Sequence, residues 1–237
     1  MSPAKRNGPA TNRLLAALPK KDRQRLLPDL EAVTLTFGDI LFEPGDRLRH
    51  VYFPDDSIIS LLSAVEDREL LEVGMVGNDG MAGLSVFMGV KESRTRGLVQ
   101  GTGGAMMMTA AALRREAGNG GALPKLLLRY SHSLLTQISQ SAACNRFHTV
   151  NARLARWLLM THDRVEGDEF RLTQEFLSHM LGVRREGVTL AASALQKQQL
   201  IAYSRGHIRI LDRAGLEAVS CKCYRVVKDE YDNFLTS

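Results

Sequence analysis

The side chains with the clearest potential for specific chemistry lie between residues 171 and 211. Arginine, glutamate and threonine side chains occur there at the start of a predicted helix, and further polar residues flank it. Such groups can pair with the base edges that DNA exposes in its major groove, or with its phosphates. The pattern therefore favours a nucleic-acid interface. Its candidate residues are Thr173, Arg184, Arg185, Glu186, Thr189 and Arg205.

The spacing of apolar residues in this stretch predicts two helices joined by a tight turn. Thr173 can cap the first helix, whose inward face we assign to Phe176, Leu177 and Met180, and Gly182 supplies the turn. The second helix begins near Arg184. Its predicted inward face comprises Val188, Ala191, Ala192 and Leu195. Two short strands around Ser204–Gly206 then form a hairpin, so the motif is a winged helix-turn-helix.

The alternative is that these residues form a purely structural helical hairpin. Charge argues against it, because residues 171–213 contain seven Lys or Arg and three acids, a net charge of +4. Residues 1–25 carry a further +6, whereas residues 26–170 come to about −4. A basic C-terminal block on an acidic body suggests a DNA-binding module attached to another domain.

Other residue types that could support chemistry give weaker patterns. Cys144, Cys221 and Cys223 fall short of the four thiolates of an iron-sulfur cluster, and Cys221 and Cys223 alone do not make a zinc site. We therefore expect buried or surface thiols and neither a metal nor a cofactor.

Met106–Met108 is better explained as a strand than as a copper site. No phosphate-binding loop, nucleophile elbow or paired-histidine motif is present, so we expect no enzyme.

The remaining sequence predicts the elements that position the basic block. Residues 12–32 have the spacing of short amphipathic helices, and residues 33–108 consist of short β-rich runs separated by turns. A long helix follows at residues 123–148. It carries one apolar stripe: Leu123, Leu127, Tyr130, Leu134 and Ile138. We expect an α+β fold with a sensor-like domain at 1–122, the long helix at 123–148 and a DNA-binding domain at 149–237.

Composition agrees with an ordinary globular protein. The chain has 237 residues, 44% hydrophobic and 24% charged. It shows neither an apolar run of membrane-spanning length nor the apolar core of a signal peptide, and its three cysteines suit reduced thiols. The expected location is the cytoplasm, with no membrane partner.

Three segments resemble the Crp/Fnr family of bacterial transcription regulators. They are Phe37–Phe42 followed by Pro44–Asp46, the helix Leu154–Leu158, and Thr173 through Ile201. The resemblance covers nearly the whole chain and implies an N-terminal β-roll of the cyclic-nucleotide-binding type. The recognition helix of the family usually carries a second arginine four positions after its glutamate. Here that position is Leu190.

The resemblance also implies a homodimer on a palindromic operator, with RNA polymerase as a further partner. The long helix would hold the dimer through Leu127, Tyr130, Leu134 and Ile138, although packing of that stripe on the β-roll is an alternative. Two other functions remain open. One is a cyclic-nucleotide-responsive regulator, and the other is a dimerisation module whose C-terminal domain binds protein.

Cyclic AMP is not the expected effector. Family members that bind it hold the ribose with a glutamate and the phosphate with an arginine followed by Ser or Thr. The matching stretch here, Gly80–Leu84, has no acid, and Arg94-Thr95 preserves only the phosphate pair. Asp79 is nearby, but in Gly77–Gly80 it is expected to bond its own backbone in a turn. The effector stays unknown.

Overall fold

The computed structural model describes residues 12–66, 69–165 and 167–236. The first described elements are two short helices, α1 (Arg13–Ala16) and α2 (Lys20–Leu26). Asn12 caps α1, because its side-chain oxygen accepts a hydrogen bond from the backbone N–H of Leu15 at 3.1 Å. These helices confirm the predicted short helices as far as Leu26, whereas Glu31 and Ala32 belong to a strand. The basic residues before Asn12 lie outside the described residues.

In the described part of the N-terminal half, seven strands form two antiparallel sheets. They are β1 (Glu31–Leu35), β2 (Ile40–Phe42), β3 (His50–Pro54), β4 (Ile58–Glu66), β5 (Glu69–Val76), β6 (Arg96–Gly101) and β7 (Gly103–Thr109). The first sheet has the order β1-β7-β3 and the second β2-β6-β4-β5. Alternate side chains fill the space between them, as Val51 and Phe53 of β3 do. The methionine run lies in strand β7, with Met108 buried.

Helices and a small sheet follow in the described residues after β7. They are α3 (Ala110–Gly118), α4 (Ala122–Phe147), α5 (Val150–His162), β8 (Glu169–Arg171), α6 (Gln174–Leu181), α7 (Arg185–Lys197), β9 (Ile201–Ser204), β10 (His207–Ile210), α8 (Arg213–Val219) and α9 (Cys223–Thr236). Strands β8, β10 and β9 pair antiparallel in that order. The predicted α+β class is confirmed. None of the described helices is long and apolar enough to cross a membrane.

The apolar stripe of α4 packs inside its own chain. Leu127 and Tyr130 are fully buried, and the Tyr130 hydroxyl donates to the backbone carbonyl of Met81 at 3.0 Å. The rings of Tyr231 and Phe234 from α9 pack on Tyr130 at centroid distances of 6.3 and 5.9 Å. The sequence-based assignment of this stripe to a dimer seam is therefore wrong, because the β-roll and α9 already cover it.

Leu134 and Ile138, the other two residues of the predicted seam, also face the chain itself. Leu134 is 7% exposed, and its Cδ1 lies only 3.3 Å from the position that a Cβ at Gly74 of β5 would occupy. Ile138 is half-buried and packs against the main core. Two exposed apolar residues of α4, Leu128 and Leu135, lie one position further along, with 62% and 61% exposure.

Buried polar contacts join α5 and the residues just after it to the β-roll. The Trp157 indole donates to Glu72 Oε1 at 2.8 Å, and Ser60 donates to Glu72 Oε2 at 2.7 Å. Arg164, just after α5, pairs with Asp79 at 2.7 Å, with both side chains at most 7% exposed. The expectation that Asp79 only bonds its own backbone is therefore corrected. These contacts fix α5 on the β-roll.

Candidate nucleic-acid interface

Helices α6 and α7 form the predicted helix-turn-helix. Thr173 caps α6, because its hydroxyl oxygen accepts from the backbone N–H of Phe176 at 3.1 Å. Gly182 ends the helix in the left-handed conformation, with φ of +58°. The apolar face of the two helices is buried as predicted: Leu177, Met180, Val188, Ala191, Ala192 and Leu195. Phe176 is the exception, because it is only half-buried.

The outward face of α7 carries the predicted recognition residues. Arg185 and Glu186 occupy its first turn and are exposed, with Arg184 at the N-cap position. Thr189 is exposed one turn later, and its hydroxyl donates to the carbonyl of Arg185 at 3.0 Å. Leu190 beside it is 72% exposed. The helix thus presents a guanidinium, a carboxylate, a hydroxyl and an isobutyl group to solvent.

Strands β9 and β10 form the wing. Their two-residue turn consists of Arg205 and Gly206 with φ values of +50° and +79°, as a type I′ hairpin turn requires. Arg205 is exposed at the tip. The other wing arginine, Arg209, binds Glu169 of β8 at 2.7 Å and lowers the pKa of that carboxyl through its hydrogen bonds. Arg205 is therefore the wing cation better placed to meet a phosphate.

A groove of about 360 Å³ lies between α7 and the wing and brings together four of the six predicted residues. They are Thr173, Arg185, Thr189 and Arg205. The other two lie beside it. Arg184 lines a neighbouring cavity of about 530 Å³ with Leu70 and Leu71 of β5, and Glu186 is exposed in the first turn of α7. The groove is thus rimmed by arginines from the helix and from the wing.

The helix-turn-helix also packs against the β-roll of the same chain. The rings of Phe176 and Phe37 lie 5.4 Å apart. Leu71 of β5 covers the turn so closely that a Cβ at Gly182 would lie 2.6 Å from its Cδ1. A glycine is thus needed at position 182 for two reasons: its left-handed backbone conformation, and the close contact with the Leu71 side chain. This contact puts β5 beside the start of α7.

A second, apolar cavity of about 510 Å³ lies between α4 and the β-roll. Phe42, Leu48, Leu61, Leu84, Leu135 and Ile138 supply most of its apolar wall. Its polar groups are the hydroxyls of Ser85, Ser93, Thr95 and Ser131 and the ring of His132. Thr95 of the candidate phosphate pair is there, but Arg94 is exposed. The described lining offers hydroxyls but neither a carboxylate nor a guanidinium.

One cluster of possible metal ligands was not predicted from the sequence. Cys144 and His148 at the end of α4 lie beside Cys221 and Cys223 at the start of α9. The signals in the sequence were the four-residue spacing of Cys144 and His148 and the one-residue spacing of the other pair. Neither is specific alone. Only the fold places the two pairs together.

Comparison with known proteins agrees with this geometry. A family model described as the Crp-like helix-turn-helix domain matches residues 152–219. No curated protein matches the chain in sequence. Among solved structures, FixK2 from Bradyrhizobium japonicum aligns with a TM-score of 0.69 at 16% identity over 81% of this chain and 98% of its own.

Two further structures show the same likeness. A transcriptional regulator of the Crp/Fnr family from Eubacterium rectale aligns with a TM-score of 0.67 at 16% identity, covering 87% of this chain and 96% of its own. CLP, a c-di-GMP-responsive global regulator from Xanthomonas campestris, aligns with a TM-score of 0.62 at 17% identity. The alignment covers 81% of this chain and 99% of CLP. Residues 152–219 are a Crp-like helix-turn-helix domain. The chain has the fold of Crp/Fnr-type regulators.

Proposed function

We propose that this protein is a sequence-specific, DNA-binding transcription regulator that acts as a homodimer on a palindromic operator. The observation that carries the proposal is the groove between α7 and the wing, where Arg185 and Arg205 face the same space and Thr173 and Thr189 add hydroxyls. A helix of this kind enters the major groove while the wing contacts the backbone of the DNA. The Crp-like match to residues 152–219 supports this assignment.

The exposed residues of α7 have distinct expected roles. Arg185 would donate two hydrogen bonds to a guanine, and Glu186 would accept from a cytosine amino group. Leu190, where the family resemblance implies an arginine, suits an apolar contact with the methyl group of a thymine. Three residues would bind phosphates and contribute affinity without sequence information: Thr173, Arg184 and Arg205.

The proposed dimer uses the face of α4 that this chain leaves uncovered. Leu128, Leu135 and Ala142 are exposed and seven residues apart, the repeat with which two helices pack in a coiled coil. Two copies related by a twofold axis would then bind half-sites about 34 Å apart, one turn of DNA. RNA polymerase is a further proposed partner, on the strength of the family resemblance.

Selection of bound fragments from genomic DNA tests this function directly. We expect enrichment of a palindrome and a steep loss of affinity as salt rises, because each protein–phosphate contact releases counterions. Weak binding that is insensitive to salt, without an enriched sequence, would exclude it. That result would favour the second candidate, a dimerisation module whose C-terminal domain binds protein.

The cavity between α4 and the β-roll favours a mostly apolar effector over a cyclic nucleotide. Its hydroxyls can hold a ligand, but a cyclic phosphate needs a cation and a ribose diol needs an acceptor of the kind that Leu84 does not supply. Calorimetric titration with cyclic AMP and cyclic GMP should show no saturable binding at micromolar concentration. Binding that also tightens the DNA complex would restore the nucleotide-responsive regulator.

A further inference from the structure

Four metal-binding side chains meet where α4 ends and α9 begins. Cys144 and Cys221 lie with their sulfurs 3.4 Å apart, although 77 residues separate them in sequence. Cys223 Sγ lies 3.6 Å from His148 Nδ1. All four atoms lie within 4.8 Å of one another. The three sulfurs are buried, and the ring of His148 closes the cluster from the solvent side.

We propose that Cys144, His148, Cys221 and Cys223 bind one Zn²⁺ ion. Three thiolates and one imidazole are an established donor set for structural zinc. With Zn–S bonds of about 2.3 Å, tetrahedral ligand atoms lie about 3.8 Å apart. The separations between Cys144 and Cys221 and between Cys223 and His148, 3.4 and 3.6 Å, are already close to that spacing.

The same geometry disfavours the alternatives. An iron-sulfur cluster contains several iron and sulfide atoms, so it holds its protein ligands further apart than one ion does, and it usually takes four thiolates. A disulfide between Cys144 and Cys221 would require the sulfurs to approach to about 2.05 Å and would leave Cys223 beside it unused. One tetrahedral ion uses all four groups.

The charges around the cluster also suit a thiolate-rich metal site. Three thiolates outnumber the two charges of Zn²⁺, so the filled site is anionic. Arg153 and Arg156 of α5 are buried at 7% exposure and lie near enough for their charges to act on the cysteines. The Nε atom of each has no hydrogen-bond partner among the described residues. These guanidinium groups would balance the charge of the filled site.

The four proposed ligands come from the end of one helix and the start of another, so a bound ion would link these helices. Cys144 and His148 belong to the end of the long helix, whereas Cys221 and Cys223 lead into α9. Ala152 of α5 packs against the same cluster. Zinc would therefore fasten the C-terminal helix to the junction between α4 and the helix-turn-helix domain. This inference does not depend on the proposed DNA binding.

Metal analysis of the full-length protein, purified with a reductant from zinc-supplemented cells, tests the site. We expect one zinc per chain. After replacement by Co²⁺, we expect the intense visible bands of tetrahedral cobalt together with thiolate-to-cobalt charge transfer. Cys221→Ser and His148→Ala should weaken zinc binding by more than about tenfold. His132→Ala, on the exposed side of the same helix, is the matched control and should keep its zinc.

Three results would overturn the proposal. They are a metal-free protein that does not take up Co²⁺, a Cys144–Cys221 disulfide that persists under the reductant, and the broad absorbance of an iron-sulfur cluster. The cobalt spectrum of the unchanged protein decides the matter even where a variant fails to fold. Removal of zinc with a chelator should also lower the unfolding temperature, since the ion binds only the folded arrangement.

Discussion

At the scale of single residues, Arg185 and Arg205 have different expected contributions to DNA recognition. Arg185 lies in the first turn of α7, whereas Arg205 lies at the tip of the wing. We expect Arg185→Ala to cost about 1–3 kcal/mol on the operator and to relax the base preference at one position. Arg205→Ala should weaken binding to all sequences alike and reduce the salt dependence. Binding isotherms on the operator and on base-substituted operators measure both effects.

These two variants also control for each other. Both remove one exposed arginine from the same groove, so a general loss of positive charge would affect them equally. If Arg185→Ala loses the same binding affinity on matched and mismatched DNA, Arg185 does not recognise a base directly.

Glu72 is a buried carboxyl group with an altered acidity. Burial raises its pKa to about 7, against the opposing effects of hydrogen bonds from Ser60 and Trp157 and of the charges of Arg156 and Arg164. In the unfolded chain the same carboxyl titrates near 4.5. The folded protein therefore holds this proton more tightly, so stability falls as pH rises from about 4.5 to about 7 and levels off above that.

Glu72→Gln should remove this pH dependence, because glutamine resembles the protonated carboxyl. A shift from 4.5 to about 7 corresponds to roughly 3 kcal/mol. We expect the variant to be more stable than the unchanged protein at pH 8 by about 1–3 kcal/mol, with the difference vanishing near pH 4.5. Denaturant unfolding at both pH values measures this. Exposed Glu92→Gln is the control, and an equal gain at both pH values would contradict the assignment.

At the scale of elements, α4 carries two apolar stripes that differ by one residue. Leu127 and Leu134 form part of the buried stripe, and Leu128 and Leu135 form the exposed one. We expect Leu135→Glu to convert a dimer into a folded monomer, because the charge would enter the seam between two helices. Leu134→Glu should instead lower the free energy of unfolding, since it buries a carboxylate beside β5.

Sedimentation and denaturant unfolding of these two neighbouring variants separate the effects. The pair is a matched test, because both place the same charge on the same helix turn. A Leu135→Glu variant that stays dimeric at micromolar concentration would place the interface elsewhere on the molecule.

At the scale of the whole molecule, the buried pair Asp79–Arg164 joins the β-roll to the C-terminal domain. Asp79→Asn would leave the guanidinium of Arg164 buried, with the Met160 carbonyl and the ring of Tyr231 as its remaining contacts. We expect a loss of about 3–5 kcal/mol in the free energy of unfolding. Glu169→Gln, which breaks the exposed pair with Arg209, should change the free energy of unfolding far less, because water screens an exposed ion pair.

A double replacement sharpens this test. Asp79→Leu combined with Arg164→Met removes both charges, so it should recover much of the stability that Asp79→Asn loses. If the double variant is as unstable as the single one, the loss is due to packing and not to an unpaired charge.

Features that depend on neighbouring residues could be predicted from the amino-acid sequence alone. Thr173, Gly182 and the spacing of apolar residues predict the helix-turn-helix because capping, a left-handed turn and a 3.6-residue period are local properties. The wing follows from a turn and two short apolar runs. The α+β class could be predicted for the same reason, since each strand and helix carries its own periodicity.

Contacts between groups that are far apart in the chain could not be predicted in this way and are known from the fold. Periodicity shows that α4 has apolar faces, but it does not tell which face the β-roll covers, so the stripe containing Tyr130 was misassigned. Asp79 and Arg164 are 85 residues apart, and Cys144 and Cys221 are 77 apart. Their proximity depends on how whole domains pack, because burial and pairing are properties of the folded chain and not of local sequence.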